Sequence, residues 1–149
     1  MNSIFLDTLN KKDTDRPPVW FMRQAGRILP SYQELKKIHS FSDLMNSPEL
    51  AAKVTLLPIN DLGVDAAILF SDILIVPEAL GMGLEFTEKG PVFSKPLTQF
   101  EKPSQQLILD KSKLTHVYDN IDEIIKTRHE NTPLIGFCGG PLTTFCFMF

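Results

Sequence analysis

The sequence has no surplus of positive charge. Its 15 Lys and Arg stand against 18 Asp and Glu, a formal net charge of -3. No global basic field therefore draws the chain to nucleic acid or to an anionic membrane, and an anionic ligand would have to be held by local groups. Cysteine is scarce. Cys138 and Cys146 are too few for a secreted disulfide scaffold, and their apolar neighbours predict buried, reduced thiols. The most membrane-like window, residues 62–80, contains Asp65, Asp72, Pro77 and Glu78, which are too costly for a spanning helix. Residues 1–10 lack a basic region and Asp7 interrupts their apolar run, so the expectation is no secretory signal and a cytoplasmic location. No repeat or low-complexity tract is visible. His39, His116 and His129 are scattered in polar surroundings, and the cysteines lack metal-ligand spacing, so no metal is expected. Gly81-Met82-Gly83 is a lone GxG without the helix that would make it a nucleotide loop.

What the chain does have is 149 residues, 43% of them hydrophobic, enough for one domain with a real core. Residues 4–9 read as a short amphipathic helix. Pro17 and Pro18 block a helix, and Val19-Trp20-Phe21-Met22 follows as a short buried strand. Residues 30–37 read as a helix with Ser31 as a possible N-cap, and residues 41–45 as a short helical turn. Ser47-Pro48-Glu49 is a strong start signal for a helix running to Leu62, bent at Pro58 and stopped at Gly63. Residues 66–70 are a continuous apolar run, as expected of a strand covered on both faces, and they end at Ser71-Asp72.

Farther on, residues 73–80 read as loop and short helix, 81–90 as a hairpin or excursion, and 91–103 as a proline-interrupted loop. Residues 118–129 have helical spacing at Ile121, Ile124 and Ile125, with Asp119 or Asn120 as the cap. Residues 133–137 form a third buried strand, and Pro141 to Thr144 enter another helix. Short apolar strands alternating with helices predict an α/β fold with a parallel sheet, open or closed. The chain ends on Thr144-Phe145-Cys146-Phe147-Met148-Phe149 without cap, charge or turn. That run reads either as a buried final strand or, the reading favoured here, as a point inside a longer chain.

Each expected strand is followed by distinctive residues: Arg23 to Arg27, Ser71-Asp72, and Cys138-Gly139-Gly140-Pro141. Sites in parallel α/β folds lie on those loops, so Arg23, Arg27 and Asp72 are expected to converge. Two arginines flanking Gln24-Ala25-Gly26 offer forked donors for carboxylate or phosphate, although a surface pair is an equal reading. Asp72 lies between apolar runs and must be paired, hydrogen-bonded or protonated. A helix N-cap, an ion pair with Arg23 or Arg27, and a catalytic role all remain open for it. Cys138 as a nucleophile lacks a positioned histidine.

These residues also carry a resemblance. Pro18 through Arg27 is similar to the N-terminal signature of the uroporphyrinogen decarboxylase family. Gly63 through Leu74 resembles its second motif, and Pro133 to Phe137 with Gly139, Pro141 and Thr143 a third. Glu49 to Ala52 with Val54-Thr55-Leu56 also fits. The resemblance implies that residues 1–149 are the N-terminal part, about the first three βα units, of a single (β/α)8 TIM barrel. It implies cofactor-free decarboxylation of the four acetate side chains of uroporphyrinogen III to coproporphyrinogen III in haem synthesis, by a cytoplasmic homodimer.

By the same resemblance Arg23 and Arg27 bind substrate carboxylates, Gln24, Ala25 and Gly26 form the contacting loop, and Asp72 accepts the pyrrole N–H groups. Arg23 is also implied to help deliver the proton. Phe147 stands where many members place a substrate-contacting tyrosine, which leaves a hydrogen bond there in doubt, and Cys138 replaces a common small residue. The alternatives are a zinc-dependent corrinoid or thiol methyltransferase of the same superfamily, a non-catalytic anion- or tetrapyrrole-binding fragment, or a truncated product without function. The Arg23–Arg27 loop favours the decarboxylase.

Overall fold

The computed structural model describes residues 4–21, 28–87 and 89–149. The fold is mixed α/β and divides into two compact units. One comprises Met1–Phe70 with Asp119–Gly136, the other Ser71–Tyr118 with Phe137–Phe149. Among the described residues no helix is long and apolar enough to cross a membrane.

The first unit begins with α1 (Ile4–Leu9), α2 (Pro30–Ile38), α3 (Phe41–Asn46) and α4 (Pro48–Leu62). The helix boundaries follow local chemistry. Ser40 and Asp43 close a reciprocal capping box on α3. Ser47 caps α4, Pro48 takes the first helical position, and Gly63 ends it at φ 66, ψ 34, a left-handed cap that a side chain would strain. Helix α4 continues through Pro58, which has no N–H to give the Val54 carbonyl. It buries Ala51, Ala52, Val54, Thr55, Leu57 and Pro58.

The chain then enters β1 (Ala67–Ile68), which pairs in parallel with β4 (Leu134–Ile135), in register Ala67 with Leu134 and Ile68 with Ile135. Ala67 N–H donates to the Pro133 carbonyl at 2.8 Å and Leu69 N–H to the Ile135 carbonyl at 3.0 Å. Ala66, Ala67, Leu69 and Phe70 are buried. The Phe70 ring takes edge contacts from Tyr32 of α2, at 6.1 Å between centroids, and from Phe41 of α3, at 5.4 Å. Each such pair contributes about 1 kcal/mol beyond its area.

In the second unit α5 (Ile75–Ala79) leads into the antiparallel hairpin β2 (Leu84–Thr87) and β3 (Gly90–Phe93). A 3-10 turn (Leu97–Gln99), α6 (Pro103–Gln106) and a second 3-10 turn (Lys111–Leu114) follow. Helix α7 (Thr115–Thr127) carries the chain to β4, and α8 (Pro141–Phe147) comes last. The core here is Leu74, Met82, Phe93, Leu97 and Met148. The Leu97 N–H donates to the Met148 carbonyl at 2.6 Å, tying α8 to the turn after the hairpin.

Several expectations are corrected. Residues 19–21 form no strand, and Val19 and Phe21 are exposed; Met22 lies outside the described residues. The reason is local. Val19 accepts from Asp65 N–H at 3.1 Å, but its own N–H goes to the Asp65 carboxylate at 2.6 Å rather than to a neighbouring carbonyl. Ser31 does not cap α2. Pro30 holds the first helical position, Leu29 is the cap, and Ser31 Oγ donates to Asp61 Oδ2 at 2.6 Å. Helix α7 starts at Thr115, so neither Asp119 nor Asn120 caps it, because the preceding 3-10 turn winds straight into the helix. Asn120 is buried instead and donates Nδ2 to the Met45 carbonyl at 2.7 Å. Within residues 91–103, the part through Phe93 is strand β3.

Candidate active site

Strand β1 ends in a buried run, and the chain then turns through Ser71-Asp72 into α5. Asp72 is half-buried. Its Oδ1 accepts the Leu74 N–H at 2.7 Å, an Asx-type turn, while Oδ2 accepts no hydrogen bond among the described residues. Burial pushes the carboxyl above its ordinary value, and the Leu74 N–H opposes that by favouring the anion. The N-cap reading is met only in part. The cap of α5 is Leu74, without a side-chain bond, and Asp72 orders the turn before it. No ion pair reaches Asp72 among the described residues.

The loop after β4 comes against the same turn. A Cβ added to Gly139 would lie 3.2 Å from both the Cβ and the carbonyl oxygen of Ile73, and would collide with Thr144 Oγ1. A side chain there would force Thr144 to turn away and Ile73 to give by a few tenths of an ångström. Two of the three predicted loops, those of Asp72 and Gly139, are therefore brought together. Arg23, Gln24, Ala25, Gly26 and Arg27 lie outside the described residues. Phe147 is on α8 with its ring 48% exposed.

Cys138 and Cys146 are free, as expected, but exposed rather than buried. Their apolar neighbours Phe137, Phe145 and Phe147 are exposed as well, so an apolar context did not mean burial. Among the described residues no three His, Cys, Asp or Glu side chains converge as a metal set.

Two groups were not singled out from the sequence. Asp65 is buried and held by Arg16 and the Val19 N–H. A carboxylate inside an apolar run was its one visible signal. The hydroxyl of Thr55, buried in α4, accepts the Phe70 N–H at 3.0 Å, and nothing in helical periodicity distinguishes it from an apolar core residue.

A turn that presents a half-buried carboxylate, one oxygen of it without a partner among the described residues, is suited to accept N–H groups or to stand beside a cation. The family model for uroporphyrinogen decarboxylase (URO-D) matches residues 1–149. The chain is 46% identical, over 99% of its length, to a uroporphyrinogen decarboxylase of Aliarcobacter butzleri, covering 44% of that protein. It is 47% identical, over 99% of its length, to one of Protochlamydia amoebophila, covering 40% of it. The chain thus spans less than half the length of these relatives. Among solved structures, a methyltransferase from Methanosarcina mazei shares the fold with a TM-score of 0.67 at 22% identity, over 99% of this chain and 44% of that one. With the family model matched from end to end around the Asp72 turn and the Gly139 loop, the chain belongs to the uroporphyrinogen decarboxylase family.

Proposed function

We propose that this chain is the N-terminal part of a single (β/α)8 barrel that decarboxylates the four acetate groups of uroporphyrinogen III to give coproporphyrinogen III. The observation that carries the reading is Asp72: a half-buried carboxylate at the end of a parallel strand, one oxygen held by Leu74 and the other open among the described residues. The family membership supports the reaction class. The enzyme works in the cytoplasm as a homodimer, without metal or organic cofactor.

In this reading the substrate is a flexible macrocycle with eight carboxylates and four pyrrole N–H groups. Arg23 and Arg27 bind carboxylates through their forked donors, with Gln24, Ala25 and Gly26 as the contacting loop. Asp72 Oδ2 accepts pyrrole N–H. Decarboxylation next to a pyrrole is eased by ring protonation, because the cationic ring takes up the electron pair left by CO2. A carboxylate beside that cation contributes about 4 kcal/mol at about 4 Å and an effective dielectric near 20. That is roughly a thousandfold in rate, a large share of the acceleration but not all of it. Arg23 helps to deliver the proton through a water, since its own pKa is too high for a direct general acid. Phe147 supplies a ring without a hydroxyl.

A chimera in which residues 1–149 replace the matching part of the Aliarcobacter butzleri relative tests the reading. Release of CO2 from uroporphyrinogen III with formation of coproporphyrinogen is the expected result. A folded chimera that releases none contradicts it.

A further inference from the structure

We propose that Gly139 is a positioning residue for Asp72, acting through Ile73, the middle residue of the turn that the Asp72 carboxylate closes; this deepens the reading of Asp72 given above and rests on it. The bond from the Leu74 N–H to Asp72 Oδ1, at 2.7 Å, closes a small ring whose backbone runs through Ile73. While that bond is kept, the Ile73 peptide and the Asp72 side chain cannot move independently. Gly139 lies directly against Ile73. The 3.2 Å that a Cβ at Gly139 would leave to the Ile73 Cβ and carbonyl oxygen is inside the roughly 3.5–4.0 Å of a relaxed contact.

All of these residues belong to the second compact unit, and so does what holds them. Leu74 and Met148 share the core with Met82, Phe93 and Leu97, and Ile73 packs against it. Met148 caps α8, and the Leu97 N–H donates to its carbonyl at 2.6 Å. At the other end of that helix the Thr144 N–H donates to the Gly140 carbonyl at 2.9 Å. One core therefore holds Ile73 from the Leu74 side and Gly139 from the α8 side, and neither retreats freely from the other.

Among the described glycines, positive φ occurs at Gly63, Gly81, Gly83 and Gly90, not at Gly139. The Gly139 backbone accepts a side chain, so the cost of a Cβ falls on its neighbours. Thr144 Oγ1 ends a side chain that can rotate away. The Ile73 carbonyl is backbone and moves only with the turn. Gly139 touches no substrate in this account; it sets the seat of the turn whose carboxylate does.

In the chimera described above, Gly139→Ala is expected to lower kcat about threefold to tenfold, short of the roughly hundredfold of a full ångström, with KM changed less than about twofold. The Leu74 amide should lose exchange protection, while the Asp110 amide, bonded to the Ala79 carbonyl in the same unit, should keep it. A glycine that merely stabilised the fold would move both amides together. Adding Thr144→Ala clears the hydroxyl but not the Ile73 carbonyl, so the double variant should keep the loss. If Gly139→Ala does not fold, Ile73→Gly carries the test from the other side. It removes the Cβ that meets Gly139, and kcat should fall with the same loss of protection at Leu74.

Parental kcat in folded Gly139→Ala, full recovery on adding Thr144→Ala, or a kcat loss matched by loss of folded protein overturns the proposal. Failure of both Gly139→Ala and Ile73→Gly to fold overturns it as well, because the contact would then be structural. Full activity in Asp72→Asn instead overturns the reading beneath it, so the two failures are distinct.

Discussion

The Arg16 guanidinium meets the Asp65 carboxylate through two parallel hydrogen bonds, Nη1 to Oδ2 at 2.6 Å and Nη2 to Oδ1 at 2.8 Å. Asp65 Oδ2 also takes the Val19 N–H at 2.6 Å. The carboxylate side chain is only 2% exposed while that of Arg16 is 50% exposed. Asp65 is thus the buried anchor that joins the segment of Arg16 and Val19 to the start of β1.

Asp65→Ala removes the acceptor of both the Arg16 guanidinium and the part-buried Val19 N–H. The expected loss of stability is about 1 kcal/mol, the net contribution of the part-buried hydrogen bonds that the carboxylate makes. The midpoint of denaturant unfolding measures it, and an unchanged midpoint would contradict the anchoring role.

The Ser40–Asp43 capping box makes a pH-dependent prediction. Ser40 N–H and Oγ–H both donate to Asp43 Oδ2, at 2.9 and 2.7 Å, and hold that carboxyl below its ordinary value, the side-chain bond most of all. A lowered folded pKa means that the stabilisation is present above the ordinary carboxylate pKa and is lost as pH falls through the folded one. The melting temperature of Asp43→Asn should therefore lie below the parent's at neutral pH, and the gap should close on acidification. A gap independent of pH would show that the charge is not what stabilises the cap.

The proposed role of Arg23 is tested by Arg23→Lys in the chimera. Lysine keeps the charge and loses the fork that grips a carboxylate in two places. KM for uroporphyrinogen should rise by about tenfold, the cost of roughly one charge-assisted hydrogen bond. Kinetics identical to the parent would remove Arg23 from the site.

The Asp72 carboxyl is raised by burial, against the Leu74 N–H. Raised above its unfolded value, this group contributes stability below the unfolded pKa and loses it as pH climbs through the folded one. In the proposed mechanism catalysis needs the anion, so activity would run the opposite way. The acid limb of kcat/KM, which reports the free enzyme, should therefore lie above the ordinary aspartate range. A limb at or below that range would mean that another group controls the rate.

Much of this was legible in the sequence because local chemistry and final structure agree. Ser47-Pro48 and Gly63 delimit α4 at both ends, and of the apolar run 66–70 the residues Ala67 and Ile68 form the parallel strand. Expectations failed where a side chain replaced a backbone partner. Asp65 took the amide that Val19 would have offered to a ladder, and Thr55 took that of Phe70. Both are contacts across long sequence separations, which periodicity cannot report. The cysteines failed for a different reason: Phe137, Phe145 and Phe147 stay exposed, so an apolar neighbourhood did not bury Cys138 or Cys146.

The central claim is that the Asp72 carboxylate stabilises a protonated pyrrole. The most direct measurement is kcat for CO2 release by Asp72→Asn in the chimera, taken at a pH where the parent carboxylate is ionised. Asparagine keeps the size and the Leu74 contact but not the charge. The account predicts a fall of roughly a thousandfold, equal to about 4 kcal/mol, with circular dichroism unchanged. A folded Asp72→Asn enzyme within about tenfold of the parent would contradict it.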